Sequence, residues 1–413
     1  AAIGGTLGYV DSYDSVITPG TVHSVTMTLK RVPYQVLGGG GMRSRLGAVL
    51  DRNLASTDPS LSGMLDTLDA LYTQAQVQSV LDRLNPSVYP EVLSLSMSRL
   101  QDVQKAVSDR MLILGGASAS GPSPINSSGS APENQWTAWT SGYGSAGSQS
   151  ARDPSEAGIN WNTYGNVTAV EKAMGPVTIG FLGALGSSNT QMSQADSKIS
   201  ADSWHLGSYA SLPVGARGFL NVAALYGQAE NKIQRLLPYA STGTGARGTS
   251  FSEDWLLQVG GGVELAPKET DWSAVLSADF AYGGVKMGAI HETGIGDLGV
   301  ESAGETHVSP LSRLGFALAK EWRIGSVRVR PEASVFWIHN FDTEIKPLEM
   351  HLIGDSGTAW SVSSRQRSPD SLRAAASVEF GLGGRRSTRI YGEEELQQGI
   401  NVFRGGVTFT VGF

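Results

Sequence analysis

Cysteine is absent from all 413 residues. That excludes disulfides, thiolate metal sites and cysteine nucleophiles together. It fits a chain that crosses an oxidising periplasm, although many cytosolic proteins also lack cysteine. Long apolar runs are missing too. With no stretch of 18 or more apolar residues, a transmembrane helix is excluded, but strands, which need only about ten residues each to span a bilayer, are not. Charge is sparse: Asp, Glu, Lys and Arg make up 17%, against roughly 25% in typical soluble domains. The formal net charge is 31 − 38 = −7, so nothing points to nucleic acid as a partner. The six histidines (His23, His205, His291, His307, His339 and His351) show no metal-ligand spacing, and neither metal nor cofactor is expected. An initiator Met and a basic, apolar leader are also lacking at Ala1-Ala2-Ile3-Gly4, which reads as a processed or truncated product.

What is present begins with 52 glycines and a strongly patterned C-terminus. In Gly405–Phe413, Val407, Phe409, Val411 and Phe413 fall on one side of an extended chain, and Gly406, Thr408, Thr410 and Gly412 on the other. Period 2 of this quality argues a strand with one apolar face. The same alternation recurs from Gln135 to Phe413. About twelve strands are expected, near 135–144, 159–172, 176–186, 199–211, 216–229, 252–266, 271–283, 306–321, 326–340, 360–382, 387–396 and 399–413. Upstream, residues 1–41 are β-rich but too short for their own core. From 42 to 114 the period becomes helical. Leu46, Val49, Leu50 and Leu54 form one stripe, Leu61, Leu65, Leu68 and Leu71 a second, and Val77, Val80, Leu81 and Leu84 a third. A longer helix is expected over 86–114, with Val92, Ser96, Arg99, Val103, Val107 and Met111 at helical spacing and much of its remaining surface polar. Some 25 residues at 1.5 Å each span roughly 37 Å, enough to cross a bilayer. Such a helix cannot face lipid. It fits either a polar channel or a small bundle packed on itself. Residues 115–134, rich in Gly, Ser and Pro, read as a flexible linker.

The connections between the strands alternate. Tight turns at Met174-Gly175, Pro213–Gly215, Pro267–Glu269, Arg323–Gly325 and Gly383–Arg385 alternate with long polar loops near 145–158, 187–198, 230–251, 284–305 and 341–359. That is the layout of an outer-membrane barrel, not of a Greek-key sandwich. Arg328, Glu332, Arg373, Glu379, Arg404, Thr408 and Thr410 then line a wet lumen, where charges cost little compared with a dry core. Trp136, Trp139, Trp255, Trp272, Trp322 and Trp337 lie toward strand ends, as aromatic girdles do.

The order of these parts resembles the translocator region of type Va autotransporters. The residues that carry the likeness are Val25-Thr26-Met27-Thr28-Leu29-Lys30-Arg31, Leu46-Gly47-Ala48-Val49-Leu50-Asp51, Tyr89-Pro90-Glu91-Val92-Leu93, Val107-Ser108-Asp109-Arg110 and the terminal Phe413. The resemblance covers nearly the whole chain. It implies an all-β membrane protein: an antiparallel barrel of about twelve strands over 135–413, with the helix 86–114 in its lumen. It implies the bacterial outer membrane, display of a passenger at the cell surface, and residues 1–41 as the passenger's C-terminal remnant. It further implies that Val407, Phe409, Val411 and Phe413 are read by the barrel-assembly machinery, and that the barrel works as a monomer without chemistry of its own. Some family members cut off the passenger within the lumen helix at an Asn-Asn pair, and no such pair occurs here.

Two other readings stay open on the sequence: a general porin, and a soluble β-rich adhesin. Three local motifs have bland explanations. Gly354-Asp355-Ser356-Gly357 resembles a serine-nucleophile segment but reads as a polar turn, with His351 only five residues away and no oxyanion elbow. Gly243-Thr244-Gly245-Ala246-Arg247-Gly248 matches G-x-G-x-x-G without the strand and helix that would bind a pyrophosphate. Glu393-Glu394-Glu395 reads as a solvated run at a strand end.

Overall fold

The computed structural model describes residues 8–16, 24–120, 135–151, 158–192, 197–236, 245–267, 270–364, 367–383 and 385–413. His23, parts of the passenger-like segment (1–7 and 17–23), residues 121–134 of the expected linker, the turn at Lys268-Glu269, Gly384, and Gly243-Thr244 lie outside them.

The chain opens with a hairpin, β1 (Gly8–Val16) and β2 (Ser24–Arg31), followed by four helices: α1 (Tyr34–Leu37), α2 (Gly41–Arg52), α3 (Pro59–Asp69) and α4 (Gln74–Leu84). Their starts are local chemistry. Asp58 caps α3 by accepting from the Ser60 and Leu61 amides, with Pro59 in the first turn, and Thr73 and Gln76 form a capping box on α4. Leu46, Val49 and Leu50, then Leu61, Leu65 and Leu68, then Val77, Val80, Leu81 and Leu84 are all buried. Leu54 is exposed because α2 ends two residues before it. After the turn at Asn85–Pro90, α5 runs from Glu91 to Ser120. The helix therefore continues to Ser120, into the stretch expected to be flexible from 115 on. Gly115 and Gly116 do not end it, because Gly only weakens a helix and packing decides.

The rest is one closed sheet with small extensions. Its strands are β3 (Trp136–Gln149), β4 (Ile159–Met174), β5 (Val177–Met192), β6 (Ser197–Val214), β7 (Gly218–Arg235), β8 (Ala246–Glu264), β9 (Trp272–Met287), β10 (Ile290–Thr293), β11 (Val300–Ser302), β12 (Glu305–Lys320), β13 (Trp322–Ile324), β14 (Val327–Asn340), β15 (Leu348–Leu352), β16 (Asp355–Val362), β17 (Asp370–Gly381), β18 (Arg386–Gln397) and β19 (Ile400–Gly412). Twelve of them make the barrel wall, each antiparallel to the next: β3 to β9, then β12, β14, β17, β18 and β19. The wall closes where β19 pairs with β3, from Ile400↔Gln149 to Gly412↔Thr137. Backbone bonds between Trp136 and Phe413, 3.2 and 2.9 Å, finish the seam. Closure leaves no unpaired edge.

One end of the barrel carries tight turns. Gly175 and Gly325 sit there at φ +59° and +61°, a region open to glycine and strained for most other residues. The other end carries the long connections. Strands overshoot a bilayer at this loop end: β8 is 19 residues long, roughly twice what a membrane strand needs. The expected single strand 360–382 is two. β16 pairs with β15 in a small sheet at the loop end, and β17 belongs to the wall. The break precedes Asp370 at Pro369, which has no N–H to give a ladder. The expected loops 284–305 and 341–359 hold β10, β11 and β15. α2 packs on β16, and α3 packs on the 3-10 turn Gly296–Leu298. The four short helices and the small sheet thus form a cap over the loop end.

The wall has its apolar side outward. Phe181, Leu185, Leu257, Phe316 and Phe409 are exposed, while alternate residues are buried inside. Trp136, Trp272 and Trp322 mark the turn end, with Lys172 and Lys320 over their rings. Trp255 against Tyr282, Trp204 against Tyr226, and Trp337 mark the other boundary. From Trp255 on β8 to Leu265 just past its end, the band between the two belts is about ten residues tall, a hydrocarbon thickness. Trp139 is not in the belt. It lies an odd number of residues from Trp136, so it faces inward, buried, and donates to Tyr209 at 2.7 Å.

Candidate functional site

The lumen holds α5. Its first residues lie at the loop end, where Ser94 Oγ is 3.5 Å from Ser364 Oγ. Its Gly115 lies at the turn end: a Cβ there would meet the Phe219 ring at 2.3 Å. Val92, Ser96, Arg99, Val103, Val107 and Met111 are all buried inside the barrel.

A lumen of polar side chains and a helix of polar side chains must satisfy each other, because each buried charge is costly unless paired. They do so in layers. Above the helix, Arg235 of β7 holds Glu292 of β10 with two bonds of 2.6 Å, and its Nη1 donates to the Leu84 carbonyl at 2.6 Å. Glu292 also accepts from the Val300 amide at 2.9 Å and from the Tyr89 hydroxyl. Next, Arg99 donates to Ser188 (3.1 Å), Asn231 (3.0 Å) and Ser96 (2.6 Å), and Ser96 lies 3.2 Å from Ser252. Asp102 then accepts from Arg404 Nε at 2.8 Å and from Ser145 at 2.9 Å. Lys105 lies 3.1 Å from Glu393 and over the Tyr391 ring. Lowest, Ser108 accepts from Arg313 at 2.8 Å, and Arg110 pairs with Glu171. Glu171 is held in turn by Tyr209 at 2.6 Å.

The fit is one-sided. α5 lies against β6, β7, β8 and β9. Across from them, toward β12, β14, β17 and β18, a polar gap remains beside Lys105 and Asp109, lined by Arg330, Glu332, Arg389 and Glu393. On this side Lys105 reaches Glu393 of β18, and Arg313 of β12 reaches Ser108.

Among the lumen residues read from sequence, Arg404 reaches the helix directly. Arg328, Glu332 and Thr408 bond within the wall. Arg328 donates to Glu379 at 3.1 Å, and Glu332 accepts from Arg389 at 2.8 Å. Arg373 lies 4.7 Å above the Phe336 ring and 4.0 Å from Glu393. Thr408 donates to Ser141 at 2.9 Å, and Thr410 is buried. Val407, Phe409, Val411 and Phe413 occupy the outward face of β19, with the last three exposed. Glu393 and Glu395 are not a solvated run. Period 2 turns both inward to Arg404, at 3.5 and 2.8 Å. Glu171, Glu393, Gln258 and Arg313, which meet the helix, were readable only as polar residues on the inward parity of their strands.

The remaining motifs dissolve into structure. Gly354–Gly357 is the tight β15–β16 hairpin. There Asp355 accepts from Asn53 Nδ2 of α2 at 3.0 Å, and that bond holds its carboxyl below the ordinary value. His351 Nε2 lies 3.1 Å from Glu301. Gly248 lies in β8, opposite Glu292 of β10. Among the described residues, no group of three His, Asp or Glu could hold a metal ion.

Residues 138–393, more than half of the chain, match the Autotransporter beta-domain family. Among solved structures, the translocator domain of the autotransporter NalP from Neisseria meningitidis is similar at 16% identity and a TM-score of 0.58, over 77% of this chain and 96% of that one. The beta domain of the Bordetella autotransporter BrkA is similar at 13% identity and a TM-score of 0.50, over 67% and 98%. At such identities the likeness shows the shared fold. No curated protein sequence matches the chain.

Proposed function

Because the chain belongs to the autotransporter β-domain family, we propose that it exports the polypeptide joined to its N-terminus, displays it on the cell surface, and is then closed by its own α5. The chain is an outer-membrane translocator of type V secretion, and its barrel spans the membrane with the loop end outward. The single observation that carries the closing step is the ladder of bonds between α5 and the wall, from Arg99 to Arg110. A peptide that enters a lumen with this many polar side chains can satisfy its polar groups in turn, and a helix whose polar groups are matched along its length stays.

On this reading, the outward face Val407–Phe413 of β19 is what the barrel-assembly machinery recognises, before β19 pairs with β3. Seam closure leaves no strand edge for a second copy to pair with, and on this reading the barrel works as a monomer. The chain does no chemistry itself: the one serine motif is a hairpin, and its neighbouring histidine is engaged by Glu301. The porin reading predicts ion flow with α5 in place.

The test is conductance in planar bilayers. The intact protein should be nearly closed, and a variant lacking residues 86–114 should conduct strongly. Equal conductance from the two would sink the plug. Loss of passenger display in a variant whose barrel still assembles would separate export from sealing.

A further inference from the structure

β2 does not leave the barrel as a loose tether. It ends at Arg31, and the guanidinium of Arg31 is gripped from three sides. Nε and Nη2 donate to Asp69 of α3 at 3.0 and 2.8 Å, Nη1 lies 3.5 Å from Asp51 of α2, and the group stacks 3.9 Å over the Tyr34 ring of α1. The cage is itself braced. The Tyr34 hydroxyl donates to Asp69 at 2.6 Å, and Asp51 accepts from the Tyr34 and Gln35 amides at 2.9 Å each. Only Val32 and Pro33 separate β2 from α1, and the Pro33 ring fixes its φ at −57°.

The other side of the same helical unit is bolted to the barrel. Asn53 donates to Asp355 at 3.0 Å, Arg45 Nη1 to the Ser361 carbonyl at 3.0 Å, and Arg235 to the Leu84 carbonyl at 2.6 Å. Within the unit, Arg43 pairs with Asp82 at 2.6 Å, joining α2 to α4, and Gln74 and Gln78 donate to the Leu37 carbonyl, joining α4 to α1. An unbroken path of bonds therefore runs from β2 through α1–α4 to the loop end of the wall, bypassing α5.

We infer that α1–α4 are a surface adaptor that fixes the direction in which the displayed domain leaves the barrel, with Arg31 as the positioning residue. Such a device suits a domain that must stand away from the membrane, because its orientation is then set by the barrel and not by a hinge. The inference rests on display of the polypeptide before β2, but its test needs no export.

The absence of native cysteine allows spin labels at Thr26→Cys on β2 and Lys198→Cys at the loop end of β6 in purified full-length protein. Electron–electron double resonance should give one narrow distance distribution. Arg31→Met keeps apolar volume over Tyr34 and removes the ion pairs. It should widen the distribution, since a freed connection of a few residues spreads by on the order of 10 Å. A second variant, Arg45→Ala with Asn53→Ala, removes both side-chain bonds from α2 and its end to β16 while leaving the Arg31 cage and the Arg235–Leu84 bond in place, and it should widen the distribution to a lesser extent. A broad distribution in the parent protein, or an unchanged width in both variants, overturns the adaptor while leaving the export reading untouched.

Discussion

Arg404 and Asp102 show how one residue pair ties two remote parts of the chain. They are 302 positions apart, yet Nε and Oδ1 meet at 2.8 Å with both side chains largely buried. Arg404 also has Glu393 and Glu395, so removing Asp102 leaves no stranded charge but takes away the charged hydrogen bond that ties the helix to β19, a loss of roughly 2 kcal/mol. Asp102→Ala should therefore speed hydrogen exchange along α5 while the wall strands keep their protection. Unchanged exchange in α5 would show that the pair does not hold the helix. Outside the membrane, Glu301 of β11 sits between two imidazoles. The hydrogen bond from His291 first, then that from His351, outweigh slight desolvation and hold its carboxyl below the ordinary 4.5. A depressed carboxyl contributes stability that is present above 4.5 and is lost as pH falls through the lowered value. Protection of the β10, β11 and β15 amides, corrected for intrinsic exchange, should hold from pH 7 to 5 and fall below 4.5. Glu301→Gln should flatten that fall, and an identical profile in the variant would disprove the linkage.

Among the elements, helices were legible as stripes but not as partners. Leu46, Val49 and Leu50 mark α2, yet nothing in their spacing says that its Gly47 lies against α1. A Cβ at Gly47 would stand 2.6 Å from the Tyr34 carbonyl and 2.7 Å from the Gln35 amide. Ala normally favours a helix over Gly by about 1 kcal/mol, but overpacking against backbone costs about 1–3 kcal/mol. Gly47→Ala should therefore make the cap easier to digest without altering the barrel's heat-modifiable gel mobility. A cap as resistant as the parent's would mean that α1 can move aside freely. Strands were legible where one face is apolar, as in β8, β14 and β19. They were not legible in the cap, where the buried face of a short strand meets helices and not a lumen or lipid. β16 was read as the start of β17 because Trp360 and Val362 look like wall residues, but both are buried under α2 and its neighbours. Trp139 and the Glu393–Glu395 run failed for a simpler reason: strand parity, not residue type, decides which side of a wall a side chain takes.

At the scale of the whole molecule, closure and filling answer different demands. The outward band must meet hydrocarbon, so it is mostly apolar, with Thr140, Asn166 and Thr168 bonding one another where it is not, and it can be read along each strand in isolation. The lumen must meet α5, so each inward residue is chosen against a partner from elsewhere in the chain. The sequence by itself determined twelve alternating strands, their short and long connections, an amphiphilic helix ahead of them and an outward aromatic finish, because periodicity and turn chemistry act over a few residues. Only the tertiary structure decided that β19 meets β3, that Arg404 finds Asp102 and Arg110 finds Glu171, and that the four short helices cap the loop end with Arg31 in their grip. Those choices join residues tens to hundreds of positions apart. No pattern that acts over a few residues reaches that far.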